Sequence, residues 1–115
     1  MSLHELQISI CDKYGAEFLD SPAFSKVGMS KNIKAGVLPI NGVRYLPEGD
    51  TTGWYIWGGE EFSEDPDFFA PLHVSHLGEW NDLVLKYLGL PPGWRFLVTD
   101  GYEDVWFDQE VIKAV

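Results

Sequence analysis

The segment from Gly53 to Phe69, GWYIWGGEEFSEDPDFF, joins an aromatic half to an acidic half. The acidic half has five carboxylates and neither lysine nor arginine: Glu60, Glu61, Glu64, Asp65 and Asp67. Such a segment could serve in three ways. It could perform acid–base or metal chemistry, it could be a solvated loop after a core strand, or it could be a contact surface for a basic partner.

Catalysis by paired carboxylates needs two acids held across a cleft in unequal environments. Five acids crowded around Pro66 are more typical of a solvated loop. The segment also departs from the calcium-loop pattern D-x-[DN]-x-[DN]-G, because no glycine follows in place. Neither a nucleophile elbow nor a glycine-rich phosphate loop occurs in the chain. We therefore predict a protein that is not an enzyme and uses no cofactor.

A second group with possible chemistry is the pair His73 and His76, followed three residues later by Glu79. On one helix these side chains would share a face and could hold a metal ion. However, Pro71 lies just before the pair, and structural zinc sites normally have four ligands, often including cysteine. The only cysteine, Cys11, is far away in the sequence. We predict no metal site, and the alternative is a small metal-binding protein or enzyme that uses His73, His76 and nearby acids.

The balance of charge limits the classes of partner. The chain has 115 residues, which is the size of one domain, and its formal net charge is −10, from 18 acidic and 8 basic side chains. Such a surface repels nucleic-acid phosphates and anionic lipids, and it attracts cationic proteins. We therefore expect neither nucleic acid nor a membrane as a partner. The same charge would also suit an acidic regulatory adaptor.

The expected compartment is the cytoplasm. A single cysteine excludes an internal disulfide, which fits a reducing environment. The sequence begins without the basic and apolar regions of a signal peptide, and no apolar run approaches the roughly 20 residues that span a bilayer.

Two helices are predicted from apolar periodicity. Leu3, Leu6, Ile10 and Tyr14 have helical spacing, and the helix should begin with a capping box at Ser2 and end at Gly15. The stretch VSHLGEWNDLVLKYLGLPPG predicts a second, continuous helix that ends at its second glycine.

The strand signals predict a sheet. Asn41-Gly42 between apolar runs predicts a hairpin with strands at 36–40 and 43–46, and Asp100-Gly101 predicts another within WRFLVTDGYEDVWFD. The stretch TGWYIWGGE predicts a central strand that is covered on both faces. Residues 20–34 are predicted to form a turn, a short helix and a loop. The stretch SEDPDFFAP is predicted to be a loop, and QEVIKAV a last short helix. The predicted fold is a single α+β domain over residues 1–115, with two main helices and a mostly antiparallel sheet of about five strands.

Trp106 differs from the other tryptophans because it follows two acids, Glu103 and Asp104, in the last predicted hairpin. If Val105 and Phe107 face the core, Trp106 is exposed among carboxylates. An exposed tryptophan of this kind is a good anchor for a surface rich in lysine or arginine. The competing interpretation is that a helix covers this face as well.

Two stretches, DTTGWYIWGGEEFSEDPDFFAPLHVSHL and VLKYLGLPPGWRF, together resemble one known family. The shared features are a strand of the form G-W-x-x-W/F-x-G-x-E, a short acidic loop containing proline, and a late helix that ends in L-x-x-P-x-G-x-x-F. In this sequence they correspond to Gly53, Trp54, Trp57, Gly59 and Glu60 or Glu61; to Asp65, Pro66 and Asp67; and to Leu88, Pro91, Pro92, Gly93 and Phe96. The chain therefore resembles, over about residues 36–108, the thirty-third numbered family of immunity proteins of bacterial polymorphic-toxin systems.

This resemblance implies a small cytosolic protein that binds and neutralises a cognate toxin, without catalysis, metal or cofactor. We hypothesise that the contact face consists of the acidic segment 60–67 together with Glu103, Asp104 and Trp106. Carboxylates on this face would suit a basic toxin such as a nuclease, and electrostatic steering would speed its capture. The alternative for the acidic segment is a solvated loop in which Glu60 or Glu61 caps local backbone N–H groups.

Overall fold

The computed structural model describes residues 2–59 and 68–113. In chain order, the helices and strands are α1 (Leu3–Tyr14), β1 (Lys26–Ser30), β2 (Ile40–Arg44), β3 (Thr51–Gly58), β4 (Phe69–His73), α2 (Leu77–Trp80), β5 (Trp94–Thr99), β6 (Tyr102–Phe107) and α3 (Gln109–Lys113). Short 3-10 helices occur at Lys31–Ile33, Val74–His76 and Asp82–Tyr87. Within these described ranges, no helix has the length and apolar character needed to cross a bilayer.

The strands form one sheet in the order β4-β1-β3-β2-β5-β6. β1 runs parallel to β3, and every other neighbouring pair of described strands is antiparallel. The predicted α+β class with a mostly antiparallel sheet is confirmed, with six strands in place of about five.

The start and end of α1 follow from its capping residues, as predicted. The Ser2 Oγ accepts a hydrogen bond from the Glu5 N–H at 3.2 Å, and Gly15 ends the helix with a φ of 75°. A left-handed backbone of this kind costs glycine little, because glycine has no Cβ.

The predicted second helix is not continuous. The interruption is at Asn81, whose extended backbone (φ −168°) separates α2 from the 3-10 helix Asp82–Tyr87. The Asn81 Oδ1 accepts a hydrogen bond from the Leu83 N–H at 2.9 Å, so this side chain caps the second piece. The apolar stripe survives the interruption, since Leu77 and Val84 are both fully buried.

The hairpin predicted at Asn41-Gly42 is wrong, because both residues lie inside β2. A Cβ on Gly42 would stand 2.1 Å from the Phe96 Cε2, so this position needs glycine for packing. The Phe96 ring cannot easily yield, because it is buried and stacks on Tyr87 with ring centroids 4.6 Å apart. The Asn41 Nδ2 donates to the Gly59 carbonyl at 2.7 Å, so the asparagine fixes the end of β3.

Two strands lie in segments for which no strand was predicted: β1 in residues 20–34, predicted as a turn, a short helix and a loop, and β4 at the end of the loop predicted for SEDPDFFAP. β1 pairs with the central β3 and buries Val27 and Met29, and β4 pairs with β1 at the edge of the sheet. Their pairing is with segments distant in the chain, and local pattern does not reveal it. The part of the predicted loop at residues 63–67 lies outside the described residues.

The sheet has two covered faces. On the first, called the α1 face, α1 and the 3-10 helix Asp82–Tyr87 pack with Trp54 and Ile56 in the larger core cluster. On the second, called the α3 face, Val111 of α3 packs with Val43 and Trp57. The prediction of a central strand covered on both faces is therefore confirmed for β3.

The α1 face contains a buried charge, Arg44, which is 1% exposed. Its guanidinium donates to five backbone carbonyls: Thr52 at 2.9 Å, Leu19 at 2.9 Å, Leu90 at 2.8 Å, Asp20 at 3.1 Å and Leu88 at 3.3 Å. Burial lowers the pKa of Arg44 to about 10, with nearby Asp20 opposing the change. The group is therefore still charged at neutral pH, and it joins β3 to the segment after α1 and the turn before β5.

We expect Arg44→Met to lower the free energy of unfolding by about 3–5 kcal/mol, because several buried carbonyls lose their donor. Urea unfolding followed by tryptophan fluorescence measures this change. The control is Lys26→Met, which removes an exposed ion pair with Asp50 (2.8 Å) and should cost less than about 1 kcal/mol. Equal losses in the two variants would contradict the central role of Arg44.

We expect Gly42→Ala to lower the free energy of unfolding by about 1–3 kcal/mol, because the added methyl group overlaps the immobile Phe96 ring. In the control Gly78→Ala, the nearest heavy atom is 3.6 Å from the added Cβ, and the helical backbone should gain up to about 1 kcal/mol. The comparison requires only thermal or urea unfolding. An unchanged midpoint in Gly42→Ala would mean that Phe96 does not require glycine here.

Candidate functional site

The last hairpin turns at Asp100-Gly101, as predicted, and its second strand β6 separates the proposed contact residues. Glu103 and Val105 point to the α1 face, where Val105 is part of the larger core cluster. Asp104 and Trp106 alternate with them and therefore point to the α3 face. The structure thus places Glu103 on one side of the sheet and Asp104 with Trp106 on the other.

Three internal donors occupy the carboxylate of Glu103. Its Oε1 accepts from the Tyr87 hydroxyl at 2.6 Å, and its Oε2 accepts from the Tyr14 hydroxyl at 2.7 Å and from the Lys13 Nζ at 2.9 Å. The Lys86 Nζ lies 3.8 Å from Oε1, and the Glu103 side chain is 18% exposed. Glu103 therefore joins β6 to α1 and to the 3-10 helix Asp82–Tyr87. This role of Glu103 was not predicted from the sequence, because its tyrosine partners are 89 and 16 residues away.

These contacts also determine the charge states of the cluster. Burial acts to raise the pKa of Glu103, but hydrogen bonds from Tyr87, Tyr14 and Lys13 outweigh it and lower the pKa to about 2. Burial and the hydrogen bond to Glu103 raise the pKa of each tyrosine. Glu103 is thus ionised at neutral pH and is poorly suited to act as a general acid there.

The α3 face presents the other two predicted residues of β6. The Arg95 guanidinium lies 5.6 Å from the centre of the Trp106 ring, and its Nη1 donates to the Asp108 Oδ2 at 3.1 Å. Trp106 is half-buried, Val105 is buried and Phe107 is 46% exposed, so the expectation that Phe107 faces the core and Trp106 is fully exposed is only partly met. Asp104 is exposed and has no ion pair within residues 2–59 and 68–113.

An aromatic cluster lies on the same face, next to both ends of the acidic segment. It consists of Tyr45, Tyr55, Trp57, Phe68 and Phe69. The ring centroids of Tyr55 and Phe69 are 5.3 Å apart, and those of Phe68 and Phe69 are 4.8 Å apart, both with edge-to-face geometry. In the sequence, the acidic segment 60–67 starts three residues after Trp57 and is followed directly by Phe68, so described residues on both sides of it belong to this cluster. The predicted contact residues Glu60, Glu61, Glu64, Asp65 and Asp67 themselves lie outside the described residues.

The strand register relates the start of the acidic segment to β6. Gly58 stands opposite Ile40, Ile40 opposite Val98, and Val98 opposite Glu103. These residues form one row across four neighbouring strands, which corresponds to roughly 14 Å at the usual strand spacing. Gly58, which lies two residues before the acidic segment in the sequence, and Asp104 are therefore at the same end of the sheet.

The histidine alternative requires a shared helical face that is not formed. His73 is the last residue of β4, His76 is in a 3-10 helix, and Glu79 is in α2. The two imidazole rings are 6.2 Å apart, and the His76 Nδ1 lies 3.4 Å from the Glu79 Oε2 in an exposed pair. In the part of the chain that the structure describes, no three His, Cys, Asp or Glu side chains are grouped to hold a metal ion.

Comparison with known families gives one match. A family model described as the Imm33-like domain matches residues 6–108. No curated protein and no solved structure matches the chain. The match covers all six strands and most of α1, so it extends further toward the N-terminus than the resemblance over about residues 36–108.

We expect Glu103→Gln to lower the free energy of unfolding at pH 7 by about 1–3 kcal/mol, because charge-assisted hydrogen bonds to Tyr14, Tyr87 and Lys13 are weakened. The pKa of Glu103 is about 2 in the folded protein, below its ordinary value of 4.5. The stabilisation from ionised Glu103 is therefore complete above about pH 4.5 and is lost as the pH falls toward 2.

Urea unfolding of both proteins between pH 7 and pH 2 measures the difference, which should shrink over that acidic range. Asp104→Asn is the matched control, since it neutralises an exposed neighbour that makes no ion pair in the described chain, and it should change stability by less than about 0.5 kcal/mol. A difference that is independent of pH would show that the charge of Glu103 is not what stabilises the fold.

Proposed function

The chain belongs to the Imm33-like family, and from this membership we propose that it is a non-catalytic cytoplasmic protein that binds and neutralises a cognate bacterial toxin. The family match over residues 6–108 is the observation that carries the proposal. The matched residues include the strands of the sheet and the side chains that hold β6 in position.

The arrangement of carboxylates on β6 supports a binding role. Glu103 is occupied by internal donors and holds the strand from the α1 face. Its neighbour Asp104 is exposed on the opposite face, beside the half-buried Trp106. A rigid strand that presents a carboxylate and an aromatic ring is well suited to bind a cationic surface with little loss of entropy.

The proposed contact face comprises the acidic segment together with Asp104 and Trp106, and its members in the segment are Glu60, Glu61, Glu64, Asp65 and Asp67. Glu103 was predicted from the sequence to be a contact residue. In this proposal its role is to hold β6 in position. The partner is a basic toxin domain, because the chain has a net charge of −10 and the acidic segment contains no basic side chain. Carboxylates on the contact face would steer such a domain and cover its basic surface.

The first test requires a toxin domain encoded beside this chain, and it measures whether the chain inhibits that neighbouring toxin. We expect one-to-one binding, measured by calorimetry, and loss of toxic activity when the two proteins are mixed in equal amounts. A chain that leaves the neighbouring toxin fully active would overturn the proposal. If the purified protein instead retains a metal ion or a small molecule, the histidine alternative would gain support.

The second test concerns the acidic segment. We expect the triple variant E64Q/D65N/D67N to bind the toxin with an association rate constant at least about tenfold lower at low salt and with weaker salt dependence, because steering depends on charge. Stopped-flow fluorescence measures the rate constant.

The matched control is D12N/E17Q/E48Q, which makes the same change in net charge at three exposed positions in other parts of the chain. It should retain most of the wild-type association rate. Equal rates for the two triple variants would show that net charge, and not this segment, governs capture.

A further inference from the structure

The two edges of the sheet differ in how they are protected. β4 contains Pro71 at its centre, and proline cannot donate a backbone hydrogen bond to another strand. β6 has no proline and no lysine, and all six of its residues pair with β5 in an uninterrupted register. Natural sheets usually guard an edge with proline, a bulge or charged side chains, most often lysine. Within residues 2–59 and 68–113, β6 is paired on one side only, has neither proline nor a bulge, and carries the carboxylates of Glu103 and Asp104 as its only charges.

The alternation of hydrogen-bonded and non-bonded pairs between β5 and β6 shows which backbone groups of β6 point outward, away from β5. The Asp108 N–H donates to the Gly93 carbonyl at 2.8 Å, and the two-residue turn places Thr99 opposite Tyr102. Hydrogen-bonded and non-bonded pairs alternate along an antiparallel ladder. The N–H and C=O groups of the intervening residues therefore point away from β5. These outward residues are Glu103, Val105 and Phe107.

The side chains beside this edge favour a cation. On the α3 face, the exposed Asp104 lies between Tyr102 and Trp106 along the strand. A strand added to the edge would place a side chain directly opposite Asp104, where lysine or arginine could form an ion pair and contact the rings. On the α1 face, Phe107 is 46% exposed and offers an apolar contact.

We propose that the partner contributes an extended segment that pairs with β6 at Glu103, Val105 and Phe107 and places a lysine or arginine against Asp104. This inference rests on the proposed toxin-binding function and adds the mode of contact, which is addition of a strand to the sheet.

Charge distinguishes this occupant from a second copy of the chain. Asp100, Asp104 and Glu110 lie on or next to β6 without an ion pair in the described chain, and a second copy would bring like charges toward them. Three of the nearby cations already have carboxylate partners: Lys13 and Lys86 lie against Glu103, and Arg95 is bonded to Asp108. The cation of α3 without an ion pair in the described chain is Lys113, at the end of that helix. The charges at this edge therefore favour the binding of a basic segment over the binding of a second copy of the chain.

The test uses synthetic peptides on the isotopically labelled protein. One ten-residue peptide alternates lysine with valine, and its matched control alternates glutamate with valine. With the lysine peptide, the amide signals of Glu103, Val105 and Phe107 should shift, and their hydrogen exchange should slow by about tenfold or more. The glutamate peptide should leave them unchanged. Protection confined to β4, or none on β6, would overturn the proposal, and protection that rises with protein concentration alone would assign the edge to a second copy.

A matched pair of variants isolates the backbone contact. Phe107→Ala and Phe107→Pro both remove the ring that packs on Trp94, but only proline also removes the outward N–H. We expect the alanine variant to bind the lysine peptide within about threefold of wild type and the proline variant at least about tenfold more weakly. Equal binding by the two variants would exclude pairing at Phe107.

A charge reversal keeps the proposal testable if the proline variant does not fold. Asp104 is exposed, so Asp104→Lys should leave the ladder intact and transfer preference from the lysine peptide to the glutamate peptide. An unchanged preference would contradict the assigned cation position. The peptide experiments need no toxin, so they can succeed where toxin neutralisation fails. Neutralisation without protection of the three amides would leave the function standing and refute this mode of contact.

Discussion

The buried guanidinium of Arg44 is the interaction on which the arrangement of the α1 face depends. Among the described residues, Arg44 bonds no carboxylate. A buried cation of this kind is costly unless its donors are satisfied, and here backbone carbonyls from three separate segments accept them. One of these carbonyls, that of Leu88, also accepts from the Ser21 hydroxyl and the Trp54 indole. The same contacts that stabilise the charge thereby fix where the chain returns to the sheet after α1 and before β5. The position of α1 in turn places Tyr14 against Glu103.

The alternation of a β-strand lets adjacent acids on β6 have opposite roles. Glu103 has a low pKa because two hydroxyls and a lysine bind its ionised form, and these contacts hold the strand. Asp104 is one residue further on and faces away from those donors, so its charge is available to another molecule. A strand that is immobilised from one face and presents its groups on the other has little freedom left to lose on binding. Stability and recognition are thus divided between neighbouring residues.

The features predicted correctly from sequence are those with local causes. The capping residues of α1, the turn at Asp100-Gly101 and the alternation of β3 all follow from contacts within a few residues. The errors have distant causes, since Gly42 is required by Phe96 and β1 is a strand because it pairs with β3. For the candidate site, the pattern around Trp106 was visible in the sequence. The hydrogen bonds of Glu103 were not visible in the sequence. Their donors lie on helices that are distant from β6 in the chain and come close to it only in the folded structure.

The edge of β6, which is unpaired within residues 2–59 and 68–113, and the acidity of the chain can be considered together. An unpaired strand edge can join any other edge, so it is a liability unless something discriminates among possible partners. Proline contributes to this role on β4 by removing one backbone donor from the strand. In the proposed mode of contact, charge acts differently on β6, because Asp104 and the acids around it would repel another copy of the same chain and attract a basic one. The carboxylates that would limit self-association would therefore also select the partner, and a single set of charges can meet both requirements.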